Sequence, residues 1–301
     1  MTVRIGAHLS GGVKGAAARA RHIGLGTEGP GSGGPIQLWS RNPTAWQPTQ
    51  HAPADVQRFR EQCAALDLWP IFTHGIYLMN LASPDDGLWQ RSIEALVDHL
   101  AVGAALGAQA VIIHPGSGGP LAHQAALDRC AAALRQVLAR TDDLPGRPLV
   151  ALETCAGAGR TLGRTFADLA AILERLDHSR AVAVVLDTAH LFGSGYDLAS
   201  AAGLQATIDE LLSCLAPERV IALHANDSRA PLGSHRDRHE NIGQGLIGAA
   251  AFERLLAHPL LRALPWIMEV PGYDGQGPDA QNLQTLRRLA QSPGSSSASA
   301  R

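Results

Sequence analysis

Short apolar runs alternate with amphipathic stretches along the whole chain. Eight runs have the length of strands: residues 3–8 (VRIGAH), 35–40 (PIQLWS), 70–74 (PIFTH), 110–114 (AVIIH), 149–153 (LVALE), 182–187 (VAVVLD), 220–224 (VIALH) and 266–270 (WIMEV). Each is nearly unbroken, as expected of parallel strands covered on both faces. The intervening segments carry helical spacing. Ile93, Leu96, Val97 and Leu100 recur at i, i+3, i+4 and i+7, and Phe166, Leu169, Ala170 and Leu173 repeat the pattern. Thr165, with Asp168 three residues later, reads as a helix-start capping pair. Strands that alternate with helices imply right-handed βαβ units and a parallel sheet. Eight units in 301 residues predict an α/β fold, a single (β/α)8 TIM barrel with its active site at the C-terminal ends of the strands. A dinucleotide fold loses support, because no GxGxxG follows the first strand and GGVKG (11–15) is a poor substitute.

The barrel is expected over residues 1–291, with a Gly-rich insertion at 24–35 that is flexible and takes no part in catalysis. Residues 292–301 (SPGSSSASAR) are too polar and small to pack, and read as a disordered tail. No apolar run reaches the ~18–20 residues of a membrane span. The first residues lack a basic stretch followed by an apolar one, so no secretory signal is expected. A soluble cytoplasmic protein without a membrane partner follows, and a monomer, since no apolar surface stripe stands out.

Composition then narrows the chemistry. The formal charge is −2, from 25 Lys+Arg against 27 Asp+Glu, which argues against binding nucleic acid through bulk basicity. Lys14 is the only lysine, which excludes a catalytic lysine elsewhere. Cys63, Cys130, Cys155 and Cys214 form no CxxC pair and read as reduced thiols. The 13 histidines outnumber Tyr and Met together, so their placement matters.

Strands three to eight end at His74, His114, Glu153, Asp187, His224 and Glu269. The gaps are 40, 39, 34, 37 and 45 residues, one βα unit each. Residues at the C-terminal ends of barrel strands face one shared crevice. His190, three residues beyond Asp187, and Asp237 and His239 in the loop after strand seven belong to the same face. Four uncompensated carboxylates would repel one another, and divalent cations resolve that. Imidazole with carboxylate and no thiolate suits Zn²⁺ first, with Mn²⁺ or Fe²⁺ as alternatives. Nine ligands suit two or three ions. His8 ends strand one inside the crevice and reads as a supporting residue. His22, His51, His99, His123, His178 and His258 read as solvated.

Seven blocks extend the argument. IGAHLSGG (5–12), THGIYLMNLASPD (73–85), IIHPGS (112–117), LETCAGAG (152–159), LDTAHLFGSGYD (186–197), LHANDSRAPLGSHRDRHENIGQGLIG (223–248) and MEVPG (268–272) resemble, in order, the endonuclease IV family of metal-dependent abasic-site endonucleases. The resemblance implies a xylose-isomerase-like barrel with about three zinc ions. His74 and His114 would hold the first, and Glu153 would bridge it to a second completed by Asp187, His224 and Glu269. His190, Asp237 and His239 would hold the third. Glu153 and Glu269 are the carboxylates it marks as catalytic. The implied reaction is hydrolysis of duplex DNA 5′ to an abasic site, leaving a 3′-hydroxyl and a 5′-deoxyribose phosphate. Trimming of blocked 3′ ends is a second implied activity. The nucleophile would be hydroxide formed because zinc lowers water's pKa. Tyr77 matches the aromatic that enters the DNA at the lesion. Arg238 and Ser117, in the ligand loops, are candidate phosphate contacts. Three zinc ions would add six positive charges in the crevice and reverse the sign of the net charge.

The chain departs from the family in two places. In SRNPTAW (40–46), Thr44 stands where most relatives carry the arginine that fills the gap left by the flipped-out nucleotide. Arg41 is the substitute this sequence offers. Thr154 and Cys155 stand where relatives usually have Asn and Thr. The main rival is a single-metal sugar isomerase or epimerase on a related barrel. It needs only Glu153, Asp187, His224 and Glu269, and leaves the other five ligands without a task.

Overall fold

All eight predicted strands form. The computed structural model describes residues 3–29 and 31–291; the expected tail at 292–301 lies outside the described residues. The strands are β1 (Arg4–His8), β2 (Ile36–Trp39), β3 (Ile71–His74), β4 (Ala110–Ile113), β5 (Leu149–Glu153), β6 (Val182–Asp187), β7 (Val220–His224) and β8 (Pro265–Met268). Each pairs in parallel with its sequence neighbour, and β8 pairs with β1, so the barrel closes and leaves no edge.

The apolar runs divide by alternate residues. Phe72, Ala110, Ile112, Ala151, Val185, Ala222 and Ile267 fill the barrel interior. Their neighbours, such as Ile71, Val111, Ile113, Val150, Leu152, Val184 and Leu223, pack in the layer between sheet and helices. Successive side chains of a strand point to opposite faces. The residue two positions beyond each interior plug therefore also faces inward, one layer higher. Phe72 leads to His74, Ile112 to His114, Ala151 to Glu153, Val185 to Asp187, Ala222 to His224 and Ile267 to Glu269. The same register turns His8 of β1 and Gln37 of β2 inward, because Ala7, Ile36 and Leu38 belong to the outer layer.

The outer helices follow the predicted spacing. The helix Asp86–Leu106 buries Ile93, Leu96 and Leu100, and its N-cap Asp85 accepts from the Leu88 amide. Thr165 caps the helix Phe166–Arg175 by accepting from the Asp168 amide at 3.2 Å. Asp168 does not return the bond. Its carboxylate instead accepts from Gly163 N at 3.1 Å and pairs with His123 Nε2 at 2.8 Å.

In the Gly-rich stretch Leu25 is fully buried, and a Cβ on Gly33 would lie 2.1 Å from Asp67 O. Arg287 also donates to Ser32 O at 2.7 Å. One expectation needs correction here. His99 is buried, not solvated. Its Nε2 accepts from Arg41 Nε at 3.0 Å while Nδ1 lies 3.2 Å from Ser40 Oγ. Burial, reinforced by the positive fields of Arg41 and His74, pushes its pKa down to about 3. The four cysteines are free thiols, as expected. Among the described residues, no helix is long and apolar enough to cross a membrane.

Candidate metal centre

The inward top layer brings the predicted ligands together in three groups. His74, His114 and Glu153 form one; Glu153, Asp187, His224 and Glu269 form the second; Asp187, His190 and His239 form the third. Ligand atoms within a group lie within 4.8 Å of one another. Asp237 joins the third group through Oδ2, 3.2 Å from His190 Nε2, and Oδ1, 3.0 Å from His239 Nε2. All nine predicted ligands therefore converge. Glu153 belongs to two groups and Asp187 to two, so the groups are contiguous.

Glu153 is the hub. Its Oε2 lies 3.1 Å from His74 Nε2 and 3.0 Å from His114 Nε2, and its Oε1 lies 2.8 Å from His224 Nδ1. Burial alone would raise its pKa. The fields of His224 and His114, with hydrogen bonds from His114 and His190, outweigh burial and hold it well below the usual carboxylate range. Glu269 and Asp237 are likewise held down against burial, Glu269 chiefly by His224 and Asp237 chiefly by hydrogen bonds from His190 and His239. Burial lowers the histidines, but the carboxylates reverse this. Glu269 and Glu153 lift His224 to about 9, while Asp237 and Asp187 lift His239 to about 9. The carboxylates and histidines thus favour one another's charged forms, and a divalent cation would take the place of the protons.

The histidines are oriented as metal ligands are. His74 Nδ1 donates to Gly75 O at 2.8 Å, His190 Nδ1 to Thr154 O at 2.8 Å, and His239 Nδ1 to Glu269 O at 3.2 Å. Each leaves its other ring nitrogen facing the carboxylates. Such anchoring fixes tautomer and aim, and is the usual arrangement around bound metal. His239 Nε2 is buried between two carboxylates, 3.0 Å from Asp237 Oδ1 and 3.9 Å from Asp187 Oδ2. A ring nitrogen aimed between two carboxylates, with no thiolate among the ligand groups, fits a borderline divalent cation.

Several supporting residues escaped the sequence reading. Gln37 is fully buried among the ligands; its Oε1 accepts from His224 Nε2 at 2.9 Å and its Nε2 donates to Glu269 Oε1. Its signal was visible: it is the one polar residue inside the apolar run of β2. Asn226 donates to Asp187 Oδ2 at 2.7 Å and accepts from Glu269 N at 2.8 Å. Thr154 accepts from Asp187 N at 2.8 Å. Asp227, also buried, gathers the amides of Ser228, Gly245 and Ile247 at 2.8, 3.0 and 2.9 Å. Gly245 permits this, since a Cβ there would lie 2.5 Å from Asp227 Oδ1. That cradle, with antiparallel pairing of Asp227–Ser228 to His239–Glu240, holds the loop that carries Asp237 and His239.

His8 lies beside the ligand groups: its Nδ1 is 2.8 Å from Gln37 Nε2 and 3.6 Å from Glu269 Oε1. Tyr77 stands at the rim, 65% exposed, its ring 4.9 Å from Trp39. Arg238 is exposed and donates to Asp237 O at 2.9 Å. Ser117 is half-buried, tied through its backbone to Asn80 at 2.9 Å. Arg41 is not brought to this surface. Its side chain is buried and donates to His99 and to Ala95 O at 3.2 Å, tying the loop after β2 to the helix Asp86–Leu106. It cannot reach into a neighbouring duplex, so Arg41 does not substitute for the residue missing at Thr44.

Comparison with known proteins agrees with this geometry. The family described as a xylose isomerase-like TIM barrel matches residues 35–291. A curated relative from Chloroflexus aurantiacus, named "Probable endonuclease 4", is 36% identical over 290 residues, covering 96% of this chain and 98% of the relative. The crystal structure of endonuclease IV from Thermus thermophilus superposes with a TM-score of 0.78 at 32% identity, covering 95% of this chain and 98% of that one. A D-tagatose 3-epimerase-like protein, at 17% identity and a TM-score of 0.69 over 95% and 96% of the two chains, shares the fold alone. The chain therefore belongs to the endonuclease IV family.

Proposed function

We propose that this protein is a zinc-dependent DNA-repair endonuclease that hydrolyses the phosphodiester 5′ to abasic sites, leaving a 3′-hydroxyl and a 5′-deoxyribose phosphate. Trimming of blocked 3′ ends belongs to the same reading. The observation that carries it is the set of three contiguous ligand groups joined by Glu153 and Asp187. Three zinc ions are the complement that nine His, Asp and Glu ligands suit. Bound zinc supplies Lewis-acid stabilisation of phosphoryl oxygen and lowers the pKa of water.

The chain's own residues supply the rest. Glu153 fixes the spacing between the first two groups, and His74, His190, His224 and His239 are each pinned through one ring nitrogen. Tyr77 and Trp39 form an aromatic step beside His74, with Trp39 and His74 centroids 4.8 Å apart. An aromatic edge there can wedge a duplex open. Moving a deoxyribose out of the stack costs least where no base is paired, which favours the abasic nucleotide. Duplex DNA is thus the partner, met by a monomer in the cytoplasm.

The direct test uses a duplex with one abasic site beside an otherwise identical intact duplex. Cleavage 5′ to the lesion, a free 3′-hydroxyl and an uncut control are expected. Cutting of both duplexes, or of neither by zinc-replete protein, would remove the reading. A sugar epimerase on this barrel would use only the second group, and would be inert towards both duplexes.

Thr44 gives a narrower prediction. It is exposed, and its hydroxyl donates to Asn42 Oδ1 at 2.9 Å. The residue before Thr44 is tied to the loop that carries Tyr77, because Tyr77 N donates to Pro43 O at 3.0 Å. Thr44→Arg should tighten binding to abasic duplex by about fivefold, the worth of one added contact of about 1 kcal/mol. Unchanged or weaker binding in a gel-shift titration would count against this account of the loop.

A further inference from the structure

Of the four pinned histidines, three are anchored by backbone carbonyls, which no substitution removes. His224 is different: its anchor is a side chain, Gln37 Oε1. We infer that Gln37 is a positioning residue that fixes the tautomer of His224 and the aim of Glu269, so that the second ligand group is shaped for a cation. This rests on the metal-centre reading above.

The chemistry of the amide sets its direction. One end of Gln37 meets Glu269 Oε1 and His8 Nδ1, at 2.8 Å from the latter. A carboxylate accepts only, so that end must be the NH2 group, which has two hydrogens for two acceptors. The reversed amide would aim oxygen lone pairs at a carboxylate. The oxygen therefore faces His224 Nε2, which must carry a hydrogen. Neutral His224 then offers the lone pair of Nδ1, and that atom faces Glu153 Oε1 at 2.8 Å and Glu269 Oε2 at 3.2 Å. One amide thus decides which nitrogen of His224 serves as ligand and holds one oxygen of Glu269 in place. The other oxygen, Oε2, stays turned towards the group.

The fold keeps the amide there. Gln37 is fully buried, and β2 registers it beside His8 of β1 and Phe72 of β3. His8 closes the far side, which gives this histidine its task as the second acceptor of the same NH2.

The test compares wild-type protein with Gln37→Met, which keeps the length of the side chain without its hydrogen bonds. Loss of such a supporting contact weakens metal binding by roughly 10–100-fold. In competition with a chelator, the variant should retain the zinc ions of the first and third groups and release that of the second roughly 10–100-fold more readily. Cobalt substituted at that position should show an altered visible spectrum. On abasic duplex, kcat should fall by a similar factor with KM changed by less than about threefold, because the amide touches ligands and not DNA. Should Gln37→Met fail to fold, Gln37→Asn carries the same expectation, since its shorter amide cannot span both partners. Zinc retention and cobalt spectrum equal to wild type in a folded variant would overturn the inference alone. Wild-type protein that binds no zinc would overturn the metal centre and this inference with it.

Discussion

Glu153→Ala should lower the rate of abasic-duplex cleavage by on the order of 10⁴-fold or more, since residues that act as one catalytic unit fail together. Both carboxylate oxygens of Glu153 are committed, Oε2 to His74 and His114, and Oε1 to His224 and His190 at 2.8 and 3.3 Å. Among the described residues, no other side chain belongs to both the first group and the second. Alanine would leave the first group with two histidines and the second with three ligands. The barrel should persist, because Glu153 lies at the end of β5, above the apolar layer of Ala151 and its neighbours. Circular dichroism should match wild type. A folded Glu153→Ala protein that cleaves within tenfold of wild type would overturn its place as the bridging ligand.

Removal of metal should act as strongly and on two properties at once. A chelator should abolish cleavage, and it should also lower the melting temperature. Five histidines and four carboxylates crowd the top of the barrel, and a ligand held at 1,000 times its Kd contributes about 4 kcal/mol to the folded state. Stripped protein has only protons on its histidines to offset Glu153, Asp187, Asp237 and Glu269. Zinc should restore both activity and melting temperature. A chelator that leaves both unchanged would show that the ligand groups hold no functional metal.

The barrel and the convergence of the six strand-end candidates were legible for one physical reason. Alternation along a strand carries the inward face from an apolar plug to a polar residue two positions later, and this repeats in six consecutive strands, from Phe72 and His74 to Ile267 and Glu269. Gln37 obeys the same register but is neither acid, base nor metal ligand, so a search for ligating residue types passes over it. Arg41 and His99 were misread because charge and imidazole are ordinarily solvated. Here they satisfy one another inside the protein, an arginine Nε–H against a bare ring nitrogen, and only the packing of the loop after β2 on the helix Asp86–Leu106 creates that pair. Asp227 was hidden for a related reason. Its partners at Gly245 and Ile247 lie 18 and 20 residues away, and nothing local announces them.

The most direct test of the metal centre is a zinc titration of chelator-stripped protein, with cleavage of the abasic duplex followed at each addition. Activity should be absent at the start and reach its plateau near three zinc ions per chain. Full activity without metal, or a plateau at one manganese ion with no further gain from zinc, would contradict the account.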